Sequence, residues 1–362
     1  MEQSEYRVIG VMSGTSLDGI DLAYIHFRKS KRWTFLIQNA ETIPYPSYWE
    51  KILSKINKYP KQKIKKYESH YIRFLGEIIL NFIRKNSISE IDAICSHGHT
   101  VIHDPDKGIT YQMGNQQSLA DFLNIPLICD FRSQDVSFGG QGAPLVPIGD
   151  SLLFSDYNAC LNMGGFANVS MLDNGKMIAF DICSVNIVLN FLAQKKNLLY
   201  DDRGKLARQG KKISDFLTDL EALDFYKQSP PKSLGIEWVN RYIFPLLKKH
   251  KSQNTEDLIY TYSLHISNVI GQIFKKGVRV LATGGGVKNT FLMELIKKRS
   301  YGHFILPDII LIDFKEALIF GLLGVLKLRG EVNCLTSVTG ASRDHSSGII
   351  FYPLKTRKGK EI

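Results

Sequence analysis

The segment from residue 7 to residue 27 constrains the fold most strongly, because it joins two strand-like runs through a turn of small polar residues. The first run, Val8 to Met12, is continuously apolar, and the second, Leu22 to Phe27, alternates between two faces. The turn and its edges carry glycines, hydroxyls and carboxylates, namely Ser13, Gly14, Thr15, Ser16, Asp18, Gly19 and Asp21. We therefore predict a β-hairpin with an unusually polar turn.

The composition of this turn suits phosphate binding. Glycines let the backbone approach a ligand closely, and hydroxyls with exposed amides bind anions. Carboxylates such as Asp18 can hold a metal ion or a water. The alternative is a tight hairpin whose polar residues only satisfy turn geometry. So many suitable residues in one turn favour a binding site.

Length and hydropathy predict a two-domain protein of the cytoplasm. A chain of 362 residues exceeds the size at which one core usually stops growing. The longest apolar run, 317–326, is too short to span a bilayer, and no signal peptide is visible at the N-terminus. We expect no membrane partner.

The five cysteines and the net charge of +11 exclude little by themselves. The cysteines form no Cys-x-x-Cys pair, so neither a disulfide framework nor a structural zinc site is indicated. The lysines lie in short separated clusters without interleaved stacking aromatics, so we expect no nucleic-acid partner. A positive charge favours anionic small substrates.

The order strand, glycine turn, strand, strand, helix occurs twice along the chain. The predicted strands are 8–12, 22–27, 33–43, 91–95, 126–129, 159–163, 169–172, 177–181 and 278–282, and the predicted helices are 67–84, 118–123, 186–194 and 258–274. Such a repeat is similar to the two-lobed actin/hexokinase-like (ribonuclease H-like) α/β fold, in which each lobe is a mixed sheet flanked by helices and an interdomain cleft holds the nucleotide. We expect lobes at 1–138, completed by 340–362, and at 139–339.

A third glycine turn follows the strand 278–282. The segment 283–289 reads Thr-Gly-Gly-Gly-Val-Lys-Asn, which is neither Gly-x-Gly-x-x-Gly nor a Walker A loop. Glycines between a strand and the next helix leave room for a phosphate or a flat ring. In the two-lobed fold this turn would lie near the adenosine.

Several longer motifs occur in a fixed order between residues 12 and 341. They are Met-Ser-Gly-Thr-Ser-Leu-Asp-Gly-Ile-Asp at 12–21, His-Gly-His-Thr at 97–100, Asp-Phe-Arg at 130–132, Gly-Gly-Gln-Gly-Ala-Pro at 139–144, Asn-Met-Gly-Gly-Phe-Ala-Asn at 162–168, Pro-Pro-Lys-Ser at 230–233, Gly-Gly-Gly at 284–286 and Val-Thr-Gly-Ala at 338–341. In content and order this set resembles the anhydro-N-acetylmuramic acid kinase family.

The resemblance implies a reaction and its partners. The family converts 1,6-anhydro-N-acetylmuramic acid, water and ATP, with Mg²⁺, to N-acetylmuramic acid 6-phosphate and ADP. It also implies a homodimer and a role in recycling cell-wall sugars.

Site residues follow from the resemblance as well. It implies Asp181 as the base that activates water, and Asp18 as a magnesium contact. Sugar contacts are implied for His97, Arg132, Asp135 and Glu316. ATP contacts are implied for Gly14, Thr15, Ser16, Leu17, Asp18, Gly19, Ile20, Asp21, Gly164, Gly165, Asn168, Gly284, Gly285, Gly286 and Asn289.

The sequence departs from the family beside the implied base. Where the family has Asp-Thr-Gly-Pro-Gly-Asn, residues 181–186 read Asp-Ile-Cys-Ser-Val-Asn, and His99 replaces a Gln. Either the segment is repacked with Asp181 in place, or activity is altered. Without the resemblance, Asp181 could equally be a helix-start carboxylate.

Three alternatives stay open. A metal-dependent hydrolase could use His97, His99 and His103 with nearby carboxylates. A nucleotide-binding protein of the same fold could have lost catalysis through the changed 182–185 block. A related kinase could act on another sugar.

Overall fold

The computed structural model describes residues 3–14 and 17–354. Its strands, in chain order, are β1 Glu5–Ser13, β2 Ile20–Lys29, β3 Trp33–Ile43, β4 Ala93–Asp104, β5 Ile109–Met113, β6 Leu127–Cys129, β7 Ala159–Met163, β8 Phe166–Asp173, β9 Lys176–Ser184, β10 Arg279–Thr283, β11 His303–Ile305 and β12 Ile349–Phe351.

Helices occupy most of the intervening chain. The α-helices are α1 Ser47–Leu53, α2 Lys61–Lys85, α3 Gln117–Leu123, α4 Ser133–Ser137, α5 Val146–Leu153, α6 Asn186–Gln194, α7 Ser214–Glu221, α8 Ile236–Trp238, α9 Phe244–Lys249, α10 Thr255–Gly271, α11 Thr290–Arg299, α12 Ile309–Leu328 and α13 Thr336–Thr339. A π-helical segment, Val239–Ile243, joins α8 to α9, and 3₁₀ turns lie at Ile56–Lys58, Pro105–Lys107, Asp202–Gly204, Ala207–Gln209, Asp224–Lys227 and Gly285–Lys288.

The chain divides into two compact units, residues 1–153 with 316–362 and residues 154–315. The first unit holds a sheet of order β12-β6-β4-β1-β2-β3, with β5 paired to β4. β1, β2 and β3 are antiparallel neighbours, and β4 and β6 continue from β1 in parallel. Alternating buried positions on β1 and β2 pack against the apolar stripe of α2, which includes Leu75, Ile79 and Phe82.

The second unit repeats this plan with its own core. Its sheet has the order β11-β10-β7-β8-β9, so β7 occupies the place that β1 has in the first unit. β7, β8 and β9 are antiparallel, and β10 and β11 run parallel to β7. Helices α6 and α10 cover the sheet with buried side chains such as Leu189 and Tyr262. The predicted α/β class with a mixed, helix-flanked sheet in each half is confirmed. The predicted cleft concerns the relation between the two units and stays a prediction.

The unit boundaries differ from the sequence-based ones at 138/139 and 339/340. Helix α12 explains the difference, because its second half packs on the first sheet: a Cβ at Gly10 of β1 would overlap the carbonyl oxygen of Ala317. Gly149 of α5 packs in turn against Ile319. The sequence pattern at 139–144 marks a loop within the first unit.

Most predicted strands and helices are present, and the largest difference concerns β4. Residues 96–100 were expected to follow a strand ending at Cys95, but they lie inside β4. The reason is β5, which pairs with β4 from His99 to Asp104 and extends it. Helix α10 ends at Gly271, earlier than the predicted end at 274. A Cβ at Gly271 would lie 2.9 Å from the carbonyl oxygen of Arg299.

Within the described ranges, no helix is both long and apolar enough to cross a membrane.

Candidate active site

The turn between β1 and β2 depends on one close backbone approach. β1 and β2 pair from Glu5 with Arg28 to Ser13 with Ile20, so residues 14–19 form the connection. A Cβ at Gly19 would lie 2.7 Å from the carbonyl oxygen of Ile43, which excludes any larger residue. Gly14 accepts from the backbone N–H of Leu17 at 3.4 Å, while the Leu17 side chain packs on the core. Thr15 and Ser16 lie outside the described residues.

The two carboxylates of this hairpin have different surroundings. Asp18 is exposed on the turn. Asp21 accepts a hydrogen bond from Thr42 Oγ1 at 2.6 Å, which ties β2 to β3. Ile20, between them, is buried in the core. Asp18 is therefore the carboxylate of this turn that a cation can reach, and its hard oxygens fit Mg²⁺ held with a phosphate.

A buried hydroxyl cluster fixes the end of β1. Ser13 Oγ lies 2.6 Å from Tyr45 Oη, 2.9 Å from His99 Nδ1 and 3.2 Å from Tyr71 Oη. Burial lowers the pKa of His99 to about 4, so its ring is neutral. This cluster was not predicted from the sequence, because three of its members come from distant segments. It explains how His99 is accommodated where the family has Gln.

Arg132 is held by His97 and by the loop 139–144. Its Nε and Nη2 donate to His97 Nε2 at 3.0 and 2.8 Å, and its Nη1 donates to the carbonyl oxygen of Gly142 at 2.6 Å. His97 Nδ1 donates to the carbonyl oxygen of Gly98 at 2.8 Å, which fixes the tautomer that accepts from Arg132. Burial and the nearby guanidinium keep the pKa of His97 well below its ordinary value.

Glu316 completes this group. Burial lowers the pKa of Arg132 to about 10, and the carboxylate of Glu316 opposes that shift. Glu316 lies on α12 four residues before Phe320, whose ring centre is 4.8 Å from that of His97. His97, Arg132 and Glu316 thus meet in the first unit. The fork of a guanidinium beside such partners matches a carboxylate ligand.

Asp135 lies deeper than the other predicted sugar contacts. It is fully buried, and its Oδ2 accepts from the backbone N–H of Gly142 at 2.7 Å. Its Oδ1 accepts from Thr339 Oγ1 at 2.8 Å. This position favours holding the loop that also carries the Arg132 contact over direct contact with a sugar hydroxyl.

In the second unit, two glycine turns lie at the same end of the sheet. Gly164 and Gly165 form the tight turn between β7 and β8. A Cβ at Gly284 or Gly286 would lie 2.8 Å from the carbonyl oxygen of Met163, the last residue of β7. Because β7 and β10 are parallel neighbours, the turns that follow them lie at the same end of the sheet, where both strands end. Gly285 lies between Gly284 and Gly286 in sequence, and apart from its chain neighbours the nearest described atom to its Cβ position is Asn186 Nδ2, at 3.8 Å.

Two asparagines flank these turns. Asn168 lies on β8 opposite Asp181 of β9. Asn289 accepts from the backbone N–H of Leu292 at 3.0 Å and caps α11. The side chain of Asn289 thus serves the protein itself, whereas Asn168 shares a face with the implied base.

Asp181 is held by a segment distant in sequence. Its Oδ2 accepts from the backbone N–H of Leu234 at 2.7 Å, and its own N–H donates to the carbonyl oxygen of Lys232 at 3.0 Å. No other described residue hydrogen-bonds its carboxylate. Burial raises the pKa of Asp181, and the Leu234 N–H partly offsets that rise. This is a partly desolvated carboxylate with one oxygen left for chemistry.

The divergent block beside Asp181 is absorbed into the core. Ile182, Cys183, Ser184 and Val185 are all fully buried, and β9 continues through Ser184. Ser184 Oγ pairs with Tyr262 Oη at 2.6 Å, so its hydroxyl is satisfied. β-branched residues favour such an extension of the strand. The block is therefore part of the core of the second unit, while Asp181 is only partly buried.

The three histidines of the hydrolase alternative are used separately. His97 binds Arg132, His99 binds Ser13, and His103 contacts Thr110 Oγ1 at 3.0 Å in an exposed position. Their contacts give no support to a shared metal site.

The repeated strand order and the glycine turns at the same edge of each sheet define an α/β protein of the actin/hexokinase-like class. A sequence model of the anhydro-N-acetylmuramic acid kinase family matches residues 6–353. The chain therefore belongs to the anhydro-N-acetylmuramic acid kinase family, and it is an enzyme of the kinase type.

Individual relatives agree with the family match. Proteins named anhydro-N-acetylmuramic acid kinase from Bacillus cereus and Methylorubrum extorquens are each 30% identical, over 96% of this chain and 99% of theirs. Among solved structures, the activator of the 2-hydroxyisocaproyl-CoA dehydratase from Clostridium difficile with bound ADPNP is 12% identical, with a TM-score of 0.46, over 89% of this chain and 96% of its own.

Proposed function

We propose that this enzyme converts 1,6-anhydro-N-acetylmuramic acid, water and ATP to N-acetylmuramic acid 6-phosphate and ADP. The observation that carries the proposal is Asp181, a partly buried carboxylate at the end of the sheet where the glycine turns lie. Leu234 holds one of its oxygens, and no described residue donates a hydrogen bond to the other. Membership of the family supplies the substrate. A homodimer acting in cytoplasmic cell-wall recycling follows from the same resemblance.

The chemistry joins a hydrolysis to a phosphoryl transfer. Water attacks the anomeric carbon, and Asp181 takes its proton. The bond from that carbon to O6 breaks, and its electron pair stays on O6. O6 then bonds to the γ-phosphorus while the bond to the bridging oxygen breaks, leaving ADP. A carboxylate whose pKa is raised by partial burial is a better proton acceptor than an ordinary aspartate.

Residues of each unit have distinct tasks in this proposal. The backbone amides of 14–21 and of the turns at 164–165 and 284–286 bind the phosphates. Mg²⁺ bound with ATP would contact Asp18 and would neutralise phosphate charge. Arg132, oriented by His97, binds the lactyl carboxylate, and Glu316 accepts from a sugar hydroxyl. Asp135 acts by holding the loop at 139–144.

Mass spectrometry tests the reaction. The protein is incubated with Mg-ATP and the anhydro-sugar in oxygen-18 water. We expect a sugar phosphate that carries one heavy oxygen at the anomeric carbon, because the water supplies that oxygen. Phosphorylation without the heavy oxygen would contradict the coupled mechanism. Nucleotide binding with no product from this sugar would indicate another sugar substrate or lost catalysis.

The Arg132→Lys variant should raise the KM for the sugar about 10- to 100-fold and leave the KM for ATP unchanged. Lysine keeps the charge but loses the planar fork, and a charge-assisted pair contributes about 1.5–3 kcal/mol. Steady-state kinetics with each substrate varied in turn gives both constants. Arg7→Lys is the matched control, because the Arg7 side chain forms a surface ion pair with Glu90 that lysine can also form. A rise in the KM for ATP would show that Arg132 serves the nucleotide.

On the acid side of its pH profile, kcat/KM should begin to fall at a pH above 3.8, the ordinary pKa of an aspartate. Burial raises the pKa of Asp181, so the ionised base is lost at a higher pH as the solution is acidified. ATP binding measured over the same pH range separates this effect from protonation of the phosphates. An acid limb at or below the ordinary value would remove Asp181 from the role of base.

A further inference from the structure

The first unit contains a buried group of three side chains of different chemistry, one of which, Asp135, also holds the loop at 139–144. Asp135, Cys334 and His345 are 0, 2 and 7% exposed. One carboxylate oxygen, the Sγ atom and one ring nitrogen all lie within 4.8 Å of one another. In the part of the chain that the structure describes, no other three such side chains come together in this way.

The backbone explains why the cysteine and the histidine face each other. Cys334 and His345 form an isolated antiparallel bridge, in which each N–H donates to the carbonyl oxygen of the other, at 3.1 and 3.2 Å. Directly opposed residues of an antiparallel pair project their side chains to the same side. Asp135 of α4 lies against that side.

The histidine is oriented toward the other two groups. Its Nδ1 lies 3.0 Å from the carbonyl oxygen of Arg343, so Nδ1 carries the proton and donates it. The buried Nε2 has no hydrogen-bond partner among the residues that the structure describes. It lies 3.6 Å from Asp135 Oδ1, which is longer than a hydrogen bond. Tetrahedral zinc with a nitrogen and an oxygen ligand would separate them by about 3.4 Å.

The aspartate is fixed from behind. The backbone N–H of Gly142 and Thr339 Oγ1 donate to its two oxygens at 2.7 and 2.8 Å. Together with the His345–Arg343 bond, these contacts orient two of the three possible ligands. Outer contacts of this kind are a regular feature of protein metal sites.

We propose that Asp135, Cys334 and His345 bind a zinc ion that ties residues 334–345 to α4 and the loop at 139–144. A carboxylate, a thiolate and an imidazole are typical zinc ligands, and the two anionic ligands neutralise the ion. Burial raises the pKa of the Cys334 thiol to about 12, so binding must displace its proton. Each zinc therefore forms one Zn–S bond and releases one proton to the buffer.

The competing interpretation is an ion pair between His345 and Asp135, without a metal. The two interpretations differ in what happens when metal is added. The ion pair takes up no zinc and leaves Cys334 protonated. The zinc site requires a thiolate ligand.

Metal titration of the full chain decides between them. Protein freed of metal with a chelator is titrated with Zn²⁺ and, separately, with Co²⁺, in the absence of ATP and sugar. We expect one equivalent of tightly bound zinc, a melting temperature raised by a few degrees, and the thiolate-to-cobalt charge-transfer band. Absence of that band in the wild-type protein would overturn the proposal, whatever the behaviour of any variant.

Variants locate the site. Cys334→Ser and His345→Gln should each weaken zinc binding at least 100-fold and should remove the melting shift. Cys160→Ser is the matched control, because it alters another buried cysteine, in the second unit. Zinc binding that survives Cys334→Ser, or that is lost equally in Cys160→Ser, would overturn the assignment.

Discussion

Replacing Asp181 with asparagine should lower kcat at least about 1,000-fold and leave ATP affinity unchanged. The amide cannot take the proton of the attacking water, so ring opening loses its base. Among the described residues, only the backbone N–H of Leu234 donates a hydrogen bond to the carboxylate, and an amide oxygen can accept the same bond. We therefore expect the variant to fold normally and to fail in chemistry.

Two measurements make this expectation specific. Single-turnover kinetics with the anhydro-sugar reports the chemical step, and titration with an ATP analogue reports binding. Asp173→Asn is the matched control, because Asp173 is exposed at the far end of β8. If Asp181→Asn retained a tenth of the wild-type rate, another group would have to be the base. If it lost ATP affinity as well, Asp181 would have a structural part in nucleotide binding.

Replacing Gly10 with alanine should destabilise the first unit by about 3 kcal/mol or more. Gly10 lies in the middle of the sheet, between Ala23 of β2 and Cys95 of β4. A Cβ there would overlap the carbonyl oxygen of Ala317 on α12. The carbonyl oxygen belongs to the backbone and the backbone fixes the position of the Cβ, so no side-chain rotation can relieve the overlap.

Denaturant unfolding measures the effect, provided that the transition of each unit is followed with its own probe. Gly108→Ala is the control, because a Cβ there meets nothing within 4 Å and suffers only the strain of a φ of 70°. That strain costs about 1 kcal/mol. Equal losses in the two variants would mean that backbone conformation, not the contact with α12, requires Gly10.

The sequence predicted what local pattern controls. Alternation and turn residues gave β3 at 33–43, β7 at 159–163 and α6 at 186–194 with the bounds that the structure has. The repeat of strand and glycine turn gave the two sheets. These features depend on neighbours a few residues away, where side-chain period and backbone preference decide the outcome.

Contacts between distant segments were beyond sequence reasoning. The bond from Leu234 to Asp181 spans 53 residues, and the one from Thr339 to Asp135 spans 204. No periodicity encodes such pairs. For the same reason Asp135 was predicted to meet the sugar, although its burial favours a supporting role. The sequence does not indicate a group of Cys334 and His345 with Asp135, because these residues are close only in the folded chain.

The buried block after Asp181 bears on what holds the aspartate in place. The segment after the aspartate is the interior end of β9, and its side chains are fully buried. Residues outside this segment hold the aspartate in place, because the Leu234 N–H donates to its carboxylate and the Lys232 carbonyl accepts from its N–H. The position of the acid therefore depends on two backbone contacts from residues 232–234 and not on the side chains that follow it along β9.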